Sequence, residues 1–209
     1  MSIEHVREFD LQRACEYYEK REIAQSKLLD LFRNEEIVRY VELALGMTDH
    51  AGNYSASSIP DAANKILMNC GDDHRRIFDL AKVLYDCPNA NELPKVIEEE
   101  GVKHLKTAIG SEMAMMLRPK SFWVGNTRTL FAHLLLTLDS PSAAREEWRV
   151  SKNSMNSQRW AVMYPLIGES MLQLNKIAID VAKGKGDTRG RILYLWADAV
   201  ASDLFRYSV

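Results

Sequence analysis

Apolar positions recur at three- and four-residue steps along almost the whole chain, the period of an amphipathic α-helix. Leu11, Ala14, Tyr18, Ala24, Leu28 and Leu31 fall on one face, so residues 4–32 read as one long helix. Asn34 then predicts an N-cap for a second helix, with Glu35 and Glu36 at its positive end and Gly46 at its C′ position. Residues 47–57, rich in Gly, Ser, Asn and Asp, read as a loop. Ser58-Ile59-Pro60-Asp61 is a start signal for a helix ending at Gly71. Asp72 or Asp73 opens the next, which buries Ile77, Leu80, Ala81 and Leu84 and stops at Cys87-Pro88.

Asn91 predicts a cap for a helix running past Met116, weakened at Gly101 and Gly110, with a kink or second cap at Gly101. Pro119 ends it, and Asn126 caps a nearly all-round apolar helix to Leu138, expected at the centre of the core. A short helix follows from Ser140-Pro141 to about residue 150, then a polar loop over 151–157. The last two helices span about 158–183, kinked at Pro165, and 189–207. No alternating run predicts a strand, so the expected fold class is all-α, eight to nine helices in a compact helical bundle without a substantial sheet.

Composition narrows the class. With 46% hydrophobic and 27% charged residues in 209, wholesale disorder is excluded. The most apolar stretch, residues 130–138, is far short of the roughly 20 needed to span a bilayer, and the polar N-terminus lacks a signal-peptide pattern. Cys15, Cys70 and Cys87 are odd in number and widely spread, which predicts reduced thiols in a cytoplasmic protein. The net charge of −2 conceals a polarity. Residues 1–100 carry 12 Lys+Arg against 20 Asp+Glu, and residues 101–209 carry 15 against 9. An acidic helical half and a basic helical half are expected, in one continuous domain or two, with an anionic partner or head-to-tail contact between copies.

The chain has no Glu-x-x-His, no His-Glu-x-x-His, no Gly-x-Ser-x-Gly and no phosphate loop, so no cofactor is expected. Cys70 and His74 share a helical face but fall short of a four-ligand zinc set, so no metal is expected either. Arg128-Thr129-Leu130-Phe131-Ala132-His133 resembles the Arg-x4-His signature of the HEPN ribonucleases, which are all-α, although that family often has Asn or Asp where Thr129 stands. The resemblance implies a metal-independent ribonuclease, usually dimeric, in which Arg128 stabilises phosphate charge and His133 assists attack by the ribose 2′-hydroxyl. Read from the residues alone, Thr129, His133 and Thr137 form a polar stripe on an apolar helix, as a hydrogen-bonded core histidine would.

Cationic segments carry the favoured reading. Between Gly101 and Arg128 lie Lys103, Lys106, Arg118, Lys120 and Arg128 against one acid, Glu112. Arg118, Lys120, Phe122 and Trp123 set two bases beside two aromatic rings in one loop, a pairing that holds single strands by phosphate contact and base stacking. A second loop adds Lys183, Lys185, Arg189 and Arg191 among three glycines. The expectation is a non-enzymatic protein that binds RNA or single-stranded DNA, self-assembling in the manner of a nucleocapsid or small-subunit component. The HEPN-like ribonuclease and a helical protein–protein adaptor are the alternatives. Met113, Met115, Met116, Trp148 and Trp160 read as core filling or as an adaptable contact surface.

Overall fold

The structure, a computed structural model, describes residues 4–48, 56, 59–152 and 154–208, the side chains of 207 and 208 excepted. Ten α-helices make up the described chain: α1 (Leu11–Arg33), α2 (Ile37–Ala44), α3 (Ala62–Asn69), α4 (His74–Asp86), α5 (Leu93–Glu99), α6 (Thr107–Leu117), α7 (Thr127–Leu138), α8 (Pro141–Lys152), α9 (Ser157–Gly184) and α10 (Leu193–Ser208). No strand occurs among the described residues. The all-α class therefore stands, with ten helices where eight to nine were expected. The added helix comes from Gly101, whose φ of 63° breaks the segment after Asn91 into α5 and α6.

Most boundaries follow local chemistry. Asn126 accepts from the Arg128 and Thr129 amides while Thr129 Oγ1 accepts from the Asn126 amide, a reciprocal capping box. Asp73 caps α4 through the Arg75 amide, and Asn156 caps α9 through the Arg159 amide. Three expectations need correction. Residues 4–32 are not one helix, because Asp10 caps Arg13 and separates a short 3-10 turn (Glu4–Glu8) from α1. Asn34 closes α1 through its amide bond to the Asp30 carbonyl and does not cap α2. Asn89, not Asn91, caps the turn before α5, accepting from the Asn91 amide. Ser58 and most of the 47–57 loop lie outside the described residues.

α7 is the central element: residues from Thr129 to Leu136 are buried, and α8, α9 and α10 pack around it. The acidic and basic halves share this core. α1 packs against α10 and α6, and one buried cluster runs from Val6 through Phe78 and Phe131 to Leu204. Three charges are sealed where these helices meet. Arg21 Nη2 lies 2.8 Å from Glu112 Oε1 and 3.6 Å from Asp198 Oδ2, with side chains 0%, 2% and 2% exposed. Each ion loses hydration there and depends on its partners' charge, to which Arg128 adds its own field. No helix among the described residues is long and apolar enough to cross a membrane, and the three cysteines are free thiols.

Candidate nucleic-acid interface

Both basic loops reach the start of α10. Pro119, just before Lys120, accepts a hydrogen bond from the Tyr194 amide at 3.0 Å, so the α6–α7 loop abuts the start of α10. The 185–191 loop runs into that same helix start, where the Ile192 amide donates to the Tyr18 hydroxyl at 3.0 Å.

The rings of the first loop turn inward, which corrects their expected role as stacking platforms. Phe122 is 1% exposed and Trp123 is 7% exposed. Trp123 Nε1 donates to the Tyr164 carbonyl at 2.9 Å, the Tyr164 hydroxyl donates back to the Trp123 carbonyl at 2.7 Å, and the two rings stack with centroids 4.8 Å apart. Gly168 makes room for the indole: a Cβ there would lie 2.4 Å from Trp123 Cζ2. An indole stacked on Tyr164, bonded through Nε1 and 7% exposed offers no open face to a base.

The arginines are largely consumed by the fold. Arg118 Nη1 donates to the Tyr85 and Cys87 carbonyls at 2.7 and 3.2 Å, closing the C-terminus of α4, and its guanidinium sits 4.9 Å from the Phe122 ring centre. Arg191, its side chain 4% exposed, pairs with Asp187 at 2.5 Å and lies over Trp196 at 4.2 Å. Arg189 pairs with Asp187 and Glu19, and hydrogen bonds from Arg189 above all hold the Asp187 carboxyl well below the usual range. The cavity beside this loop, about 860 Å³, is lined by five acids (Glu8, Asp10, Glu16, Glu19 and Asp187) against two bases, Lys185 and Arg189. The planar guanidinium fork suits such multidentate anchoring, whereas a lysine head stays in water.

Lys103, Lys106, Lys120, Lys183 and Lys185 differ. All five are exposed, and none forms an ion pair with the described residues. The first two were noted in sequence only as part of a charge run; the signal that could have promoted them is the Gly101 break, which puts them on a connection between helices.

Arg128 and His133 are not brought together within the chain. Five residues of helix separate their directions by about 140°. Arg128 faces α1, where Nη1 donates to the Tyr17 hydroxyl at 3.1 Å. Burial pulls its pKa down, but Tyr17, Asp198 and Glu112 outweigh that and leave it raised. His133 faces α9, with Nδ1 2.8 Å from Ser170 Oγ and only 8% of the residue exposed. Burial lowers its pKa, opposed by the charge of Glu169. The imidazole is thus a buried, hydrogen-bonded group on the face of α7 that meets α9. Comparison with protein families, with curated proteins and with solved structures returned no match for this chain.

Proposed function

We propose that this chain is a non-enzymatic helical protein that binds RNA or single-stranded DNA through lysines of its second half. One observation carries the reading: Lys103, Lys106, Lys120, Lys183 and Lys185 are exposed and form no ion pair with the described residues, while the neighbouring arginines are spent on the fold. Lysines free of ion pairs leave a positive field, offset in part at Lys185 by the acids across its cavity, which a polyanion neutralises with release of its counterions. The burial of His133 against Ser170 supports binding without cleavage. The acid-walled cavity at Glu8, Asp10, Glu16 and Glu19 complements these lysines and supports head-to-tail association of copies.

The test is fluorescence anisotropy with a labelled single-stranded RNA across a salt series. Five neutralised phosphates give a log–log slope of roughly −3.5 on single strands. Replacing Lys120, Lys183 and Lys185 with alanine lowers the magnitude of that slope to about 1.4. Affinity that ignores salt overturns the proposal, as does wild-type affinity in the triple variant. Intact RNA on a denaturing gel is expected throughout.

A further inference from the structure

A second cavity, about 660 Å³, lies where the α5–α6 connection crosses the start of α9. Gly101 and His104, with φ of 63° and 69°, fold that connection back on itself. Its floor is apolar, from Ile97, Val102, Leu105 and Met155, and Trp160 forms one wall. Lys103 and Lys106 stand on the rim, and Glu98 is the one acid among the lining residues. No side chain caps the N-terminus of α6, which opens at Thr107 beside them. The volume falls within the range of small-molecule sites, which pair an apolar lining with a few polar groups.

Trp160 is the distinctive member. Of the four tryptophans, Trp123, Trp148 and Trp196 are buried, whereas Trp160 is half-buried and fronts a cavity. An aromatic wall with cations at its edge suits a ligand that is planar at one end and anionic at the other.

We infer that this cavity is a nucleotide subsite: one base of a single strand stacks on Trp160 while Lys103 and Lys106 hold the adjoining phosphates. Amide N–H groups in the first turn of α6 favour the same anionic end. Glu98 is placed to accept from a base amino group or a sugar hydroxyl. The inference rests on the nucleic-acid reading for its polymer, but the nucleotide chemistry of the cavity stands on its own residues. The structure thus relocates the aromatic partner of the lysines from Trp123 to Trp160.

The experiment titrates the full chain with a uridine 12-mer, a thymidine 12-mer and adenosine monophosphate at low salt. Tryptophan emission and the anisotropy of labelled oligomers are read together. Oligomer binding is expected to quench emission in the wild type. Trp160→Ala weakens oligomer binding about 5- to 150-fold, the range for loss of one base–aromatic stack. Trp160→Phe recovers most of that affinity but not the quenching, and circular dichroism checks that both variants fold. Lys103→Ala with Lys106→Ala lowers the magnitude of the salt slope by about 1.4. Should the oligomers bind these variants with wild-type affinity and slope, the subsite is overturned while the nucleic-acid reading survives. If adenosine monophosphate quenches Trp160 but neither oligomer binds, the subsite stands and the polymer reading falls. No response to any of the three overturns both. A difference between the uridine and thymidine oligomers decides RNA against DNA.

Discussion

Replacing Gly168 with alanine tests the placement of Trp123 from the far side of the contact. In an ordinary helix interior the change stabilises by about 1 kcal/mol, because glycine gives up more backbone freedom on folding. Here the new Cβ would meet indole carbons at 2.4, 2.5 and 2.8 Å. The indole cannot swing away cheaply, since Nε1 is bound to the Tyr164 carbonyl and its face is stacked on the Tyr164 ring. Overpacking of this kind costs about 1–3 kcal/mol, so the single variant should lose roughly 1 kcal/mol net. Trp123→Ala alone should lose about 3–5 kcal/mol, as for other buried large-to-small changes. With the indole gone, the alanine at 168 recovers its helical advantage, so the two changes couple by about 2 kcal/mol. Urea denaturation of the wild type, both single variants and the double variant, followed by far-UV circular dichroism, measures this cycle. Simple additivity, or a more stable Gly168→Ala single variant, would refute the packing described. Oligomer affinity supplies the contrast: Trp123→Ala leaves it unchanged per folded molecule, whereas Trp160→Ala lowers it.

The buried ion set and His133 make two further predictions. Arg21→Ala removes the cation in contact with Glu112 and Asp198 and leaves them the field of Arg128, so it should cost about 3 kcal/mol in urea denaturation; a loss under about 1 kcal/mol would contradict the burial. His133 has its folded pKa lowered by burial, so the unfolded chain takes up the proton more readily. Its contribution to stability is full above the unfolded value of 6.5 and declines as pH falls below it. Thermal midpoints of the wild type should therefore drop between pH 7.5 and 5.5 relative to those of His133→Gln, and parallel curves would exclude this role for the imidazole.

Sequence reading reached furthest where one turn of chain holds the relevant physics. The capping box at Asn126, the cap at Asp73 and the break at Gly101 each depend on groups a few residues apart. The break at Asp10 was harder to see because part of its support is remote: the Asp10 amide donates to Asp203 Oδ2 at 2.8 Å. The candidate interface divided in the same way. Exposed lysines were legible, because a strongly hydrated ammonium on a flexible stem stays in water whatever lies beneath it. Ring orientation was not, because the pocket for Trp123 is built by Tyr164 and Gly168, more than forty residues away, and no local pattern announces such a hole.

The amino-acid sequence by itself determined the all-α class, most helix boundaries, the central place of α7 and the charge polarity between halves. All of these follow from hydrophobic period, capping and composition, which act over a turn or two of helix. Only the tertiary structure decided that Trp123 is sealed and Trp160 half-exposed at a cavity, that Arg128 and His133 face different helices, and that Arg189 and Arg191 pair with Asp187 and Glu19. A side chain that can serve either core or surface is assigned by the neighbours that reach it first, and those neighbours are set by how the helices pack.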